Sequence, residues 1–172
     1  MRPYTKQAQA VLDFGAAAAG MMDQCSIGTE HVLAGLCREA VRQKKSSVWV
    51  FPNMIENARR VLEQSGVSLG TVVSYPLGMD CPEVKIAETE DAADRGATDI
   101  CVTFNAGAFK SGDIHTMIRE LKGCADMAHG KGAKMYLLIE TPLITGQQAE
   151  DVRILAEGLG ADGIVSSQGW TW

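Results

Sequence analysis

Cysteines, histidines and lysines are the side chains of this sequence whose chemistry could make a site, so their spacing comes first. Five cysteines stand at 25, 37, 81, 101 and 124, an odd number with no C-x-x-C pair. His31, His115 and His129 fall at no metal-ligand spacing near them, and zinc sites or disulfide frameworks need tighter sets. Free thiols in a reducing, cytoplasmic compartment and no metal are therefore expected. Gly158, Gly160 and Gly163 match G-x-G-x-x-G, but they close a helical pattern and lead into a strand. A dinucleotide needs the reverse order, strand before helix, so that helix N-terminal amides face the pyrophosphate. No cofactor is expected on that basis. His115 lies in the first turn of an amphipathic segment and reads as solvated. Met21, Met22, Met54, Met117 and Met127 fall mostly at core spacing. Trp170 and Trp172 close the chain, where they would cover either a partner surface or a barrel end.

The 172 residues are 46% apolar and 22% charged, with 16 Lys plus Arg against 21 Asp plus Glu. Such a chain buries a real core and is not disordered, so one domain over residues 1–172 is expected. A formal charge of −5 without a basic stripe excludes nucleic acid as a partner, because phosphate binding needs clustered Lys and Arg. No apolar run reaches a membrane span and no leader pattern opens the sequence, so no membrane role is expected.

Short β-branched runs alternate with helical periodicity. Strands are expected at 48–51, 69–75, 99–104, 134–140 and 163–166, nearly continuous apolar runs of the kind a sheet covered on both faces requires. Their centres lie 23 to 36 residues apart, which suits βα crossovers. Val32, Leu33, Leu36, Cys37, Ala40 and Val41 predict a helix over 30–43 with Thr29 as N-cap. A second follows Pro52, and a third runs from Pro82 to Arg95 with Gly96 as its stop. Ile114, Met117, Ile118, Leu121, Cys124, Ala125 and Ala128 predict a fourth, capped by Ser111 or Asp113. Thr145 with Gln148 has capping-box spacing for a fifth, which ends near Gly158 and Gly160. An N-terminal helix over 5–19 precedes them, with Met21-Met22 as a short first strand, so that residues 1–28 form a divergent start.

Several segments share a family pattern in order. Thr71-Val-Val-Ser-Tyr-Pro-Leu-Gly78 is similar to T-V-V-G-F-P-L-G, and Lys85 and Glu88 fit K-x-x-E. Gly96-Ala-Thr-Asp-Ile-Cys101 and Asn105-Ala-Gly-Ala-Phe-Lys-Ser-Gly112 are similar to G-A-D-E-I-D and N-x-G-x-L-K-S-G. Leu138-Ile139-Glu140-Thr141 matches I-I-E-T, and Gly160-Ala-Asp-Gly-Ile-Val-Ser-Ser-Gln-Gly169 is similar to G-A-D-F-V-K-T-S-T-G. From Trp49 onwards the chain thus resembles deoxyribose-phosphate aldolase, a class I aldolase on a (β/α)₈ barrel.

That resemblance implies an α/β fold of the TIM-barrel type with parallel strands, incomplete at about six of eight βα units. It also implies a lyase that cleaves 2-deoxyribose 5-phosphate through a lysine Schiff base, with a small phosphorylated sugar as ligand and a role in deoxyribonucleotide catabolism. Carried over residue by residue, the imine lysine falls on Val165, the strand-four aspartate on Cys101 and the strand-five lysine on Tyr136. The first-strand D-H-T-x-L shrinks to Met22-Asp23-Gln24-Cys25. Substitute groups are Lys85 and Lys110, in the loops after two of the strands, with Asp99, Glu140 or Tyr136 to handle protons; the plainer expectation is that both lysines are solvated at helix starts. Cys101 reads as a packed thiol. Lost or impaired catalysis is expected, with a non-catalytic scaffold as the alternative. Two strand edges left open by missing barrel units would then be covered by further copies in a homo-oligomer.

Overall fold

The structure is a computed structural model that describes residues 5–21 and 28–167. The chain forms two compact units, residues 1–69 and 70–172, taken in turn.

The first unit holds helices α1 (Lys6–Met21), α2 (Thr29–Arg42) and α3 (Ile55–Leu62), with strand β1 (Ser47–Trp49) between the last two. Glycine brings α1 and α2 close together. A side chain at Gly35 would collide with the Val11 carbonyl, and one at Gly15 would come within 3.1 Å of the His31 carbonyl. Val11, Leu33, Cys37, Ile55, Ala58 and Leu62 fill the interior of this unit. Gly28, not Thr29, is the N-cap of α2. The buried His31 ring accepts the Gly28 N–H on Nδ1 at 2.9 Å, which turns the chain one residue earlier than a hydroxyl cap at Thr29 would. The strand expected at 48–51 stops at Trp49, because Pro52 opens a 3-10 turn and Phe51 serves as its cap. Met21 is the last residue of α1, so it holds no strand, and Met22 lies outside the described residues.

The second unit carries most of the sheet. Strands β2 (Ser68–Val73), β3 (Asp99–Thr103), β4 (Lys134–Glu140) and β5 (Gly163–Ser167) lie side by side, parallel and in chain order. Five strands, rather than six, are found among the described residues. Each parallel step uses a helix to return: α4 (Pro82–Arg95) before β3, α6 (Ile114–Gly130) before β4, and α7 (Gly146–Gly158) before β5. Proline at the first turn starts α4, and Gly96 ends it in the left-handed region at φ 106°. Asp113 caps α6 by accepting the Thr116 N–H at 3.1 Å. A short helix α5 (Ala106–Ser111), absent from the periodicity reading, precedes it and is capped by Asn105, which accepts the Ala108 N–H at 2.9 Å. Thr145 and Gln148 form the expected capping box on α7. Gly158 ends that helix and Gly163 begins β5, so the three glycines run from helix to strand.

Alternation gives the sheet two unlike faces. Ile100, Val102, Met135, Leu137 and Ile139 make an apolar face, all of them at most 2% exposed. The opposite face carries Asp99, Cys101 and Thr103 of β3, then Tyr136, Leu138 and Glu140 of β4. Among the described residues no helix is long and apolar enough to cross a membrane.

Candidate active site

Strand register decides which candidate residues meet. Cys101 is level with Tyr136, and Leu138 is level with Val165, so the three positions that the resemblance singles out share one sheet face across adjacent strands. None of them offers an amine. Cys101 is buried, and burial pushes its thiol up to about 12, so it is protonated at neutral pH. Tyr136 is also raised above the usual phenol range, first by burial and then by the charge and hydrogen bond of Asp99. Asp99, at the start of β3, accepts the Thr98 hydroxyl at 2.7 Å. Val165 is 37% exposed and contributes only hydrocarbon. Towards the carboxyl ends of the strands, two polar atoms on this face are buried without a hydrogen-bond partner among the described residues: Thr103 Oγ1 and Glu140 Oε1.

Lys85 and Lys110 part company. Lys110 is exposed, as the plainer expectation has it, but in the last turn of α5 rather than at a helix start. Lys85 is not solvated: it is wholly buried. Its Nζ donates to the Thr103 carbonyl at 3.0 Å and lies 3.1 Å from Glu120 Oε1. Glu120, 1% exposed, is pushed upward by burial while the Lys85 ammonium opposes that shift. Its other oxygen faces the Asn105 side-chain amide at 3.5 Å. Burying this ammonium is tolerable only because a carboxylate and a carbonyl surround it.

Sequence reading missed Glu120 and Asn105. A signal for Glu120 did exist, since it is the one carboxylate inside the Met117–Leu121–Cys124 stripe of α6, where a helix normally stays apolar. Asp162 was missed as well; it accepts from His129 Nε2 and from the Met135 N–H, both at 2.8 Å, and ties the end of α6 to the start of β4. His115 is exposed. Cys37, Cys81, Cys101 and Cys124 are free thiols, and only Cys81 is exposed. Cys25 and the Met22–Cys25 segment lie outside the described residues, as do Trp170 and Trp172.

A family model described as DeoC/LacD family aldolase matches residues 9–164. The chain belongs to that aldolase family. Deoxyribose-phosphate aldolase of Desulfitobacterium hafniense is 32% identical over 155 residues, which cover 88% of this chain and 71% of the relative. Among solved structures, an aldolase called QR15 superposes with a TM-score of 0.76 at 24% identity; the match covers 83% of this chain and 63% of that one. The tetrameric deoxyribose phosphate aldolase from Aeropyrum pernix gives a TM-score of 0.72 at 24% identity, over 93% of this chain and 71% of the other. These structures support the fold: parallel strands with intervening helices, as in part of an aldolase TIM barrel.

Proposed function

We propose that this aldolase-family chain has lost, or nearly lost, Schiff-base cleavage of 2-deoxyribose 5-phosphate. One observation carries the reading. Lys85, whose amine reaches the end of β3, is enclosed by Glu120 and the Thr103 carbonyl, while the resemblance sets Val165 against the family's imine lysine. An imine needs a neutral amine free to approach a carbonyl carbon. Lys85 has no such access, because its Nζ is buried against Glu120 and the Thr103 carbonyl, and Cys101 and Tyr136 are held protonated. Asp99 and Glu140 put acceptor oxygens on this face, to which the hydroxyls of a sugar can donate hydrogen bonds, and the family supplies the ligand class, so the role we infer is binding a small phosphorylated sugar without cleaving it.

The test is to incubate the protein with deoxyribose 5-phosphate, trap with borohydride and weigh it intact. No saturable adduct is expected. A saturable mass gain mapping to Lys85 or Lys110 overturns the reading.

A second reading, a self-assembling scaffold, draws on one feature: among the described residues β5 pairs on one side only, with β4. An open strand edge is a natural docking line for another copy. Light scattering on the intact chain should then show a discrete oligomer, and a monodisperse monomer removes this reading.

A further inference from the structure

Where β2 and β3 end, their last peptide groups leave the ladder and need new partners. Helix α4 supplies both from two side chains three residues apart, a spacing that puts them on one helix face. Lys85 Nζ donates to the Thr103 carbonyl at 3.0 Å. The Glu88 carboxylate accepts the Ser74 N–H at 2.8 Å, where the chain turns through φ 56°. The Thr103 carbonyl and the Phe104 N–H belong to one rigid peptide plane, and that N–H donates to the Leu138 carbonyl at 2.9 Å. Lys85 therefore grips one side of a plane whose other side is tied to β4. Glu120 neutralises the buried ammonium, and its second oxygen reaches Asn105, the cap of α5. The loop after β2 also packs on the end of β3: Gly78, at φ 65°, leaves room for the Thr103 and Phe104 carbonyls, against which any Cβ would collide.

We propose that Lys85 and Glu88 are positioning residues, a charged pair on α4 that holds the ends of β3 and β2 in place. The Lys85–Glu120 contact works from the helix layer, so that the Thr103–Phe104 peptide is set by it and the Ser74 N–H by Glu88. Ser74 is held further by donating to Asp80 at 2.7 Å. Ionised donors and acceptors make stronger hydrogen bonds than neutral ones, which accounts for charge at both positions. The Lys-x-x-Glu pattern at 85 and 88 is on this view a device for orienting strand ends. It is independent of whether any aldehyde reacts.

Two measurements test it. In the parent protein, labelled with ¹⁵N and ¹³C, nuclear magnetic resonance should show coupling across the hydrogen bond from Lys85 Nζ to the Thr103 carbonyl carbon. A Lys85 ammonium that exchanges freely with water and shows no such coupling overturns the proposal, whatever the variants do. Amide exchange then separates positioning from general loosening. Glu88→Ala should speed exchange at Ser74 by about tenfold or more and leave Phe104 unchanged. Glu88→Gln, which keeps an acceptor oxygen, should restore part of that protection. Lys85→Met combined with Glu120→Leu should do the reverse, loosening Phe104 and sparing Ser74. Equal acceleration at both ends and in central β4, or none at either end, overturns the proposal.

Discussion

The two sides of the β3 end solve opposite problems. On the helix side a lysine and a glutamate are buried to 1% exposure or less, and each has a partner of opposite charge. On the strand face that carries Cys101, Tyr136 and Val165 there is no such pair, and the Thr103 hydroxyl and one Glu140 oxygen lack partners among the described residues. Catalytic faces are usually the place for perturbed charge, and supporting helices the place for packing. Here the buried ion pair sits in the support, while the strand face holds Val165, a protonated thiol, a phenol and the carboxyl groups of Asp99 and Glu140, with no lysine or arginine paired to them among the described residues. A buried ionisable group is thus no sign of catalysis until its partners are named.

The largest expected effect lies on the strand face. With its thiol pushed up to about 12, Cys101 has about a thousandfold less thiolate than an ordinary cysteine at neutral pH. Reactivity should appear only as pH rises towards that value. Peptide mapping after brief alkylation of the native protein should find label on exposed Cys81 and none on Cys101 or Cys124; early label on Cys101 would mean that this face is open and its thiol activated. The comparison would then break.

Next comes the helix side. Lys85→Met leaves Glu120 buried without its counter-ion and should cost about 3–5 kcal/mol in urea unfolding. Adding Glu120→Leu should recover most of that, because an apolar pair of similar volume no longer carries uncompensated charge. A loss under 1 kcal/mol for the single change would place Lys85 in water. Gly78→Ala should cost about 2 kcal/mol by the same assay, since alanine must both adopt φ 65° and displace the Phe104 carbonyl.

Thr103→Val should matter least. It removes a hydroxyl that has no partner among the described residues and keeps the shape, so stability should stay within about 1 kcal/mol of the parent. A large loss would reveal a partner for that hydroxyl and narrow the contrast between the two sides.

Much of the architecture was legible in the residues. Periodicity placed β4 at its observed limits, and Pro82, Gly96, Asp113 and the Thr145–Gln148 pair marked helix ends correctly, because caps and stops act over a few residues. Local reading failed where a distant or subtler partner decided. His31 moved the start of α2 to a glycine cap, and Pro52 cut β1 short. Helix α5 is too brief for a 3.6-residue stripe to show.

What the sequence determined by itself is most of the longer helices and strands, the family and the residue types along them, since these depend on local spacing and identity. Which ionisable groups are charged, buried or reachable was decided by tertiary structure alone. Lys85 and Glu120 stand 35 positions apart and become partners only when α4 and α6 pack together. Lys85 and Lys110 look alike in the chain, yet one is sealed and the other bathed in water, because a charge takes its solvation from what the fold brings within a few ångströms of it.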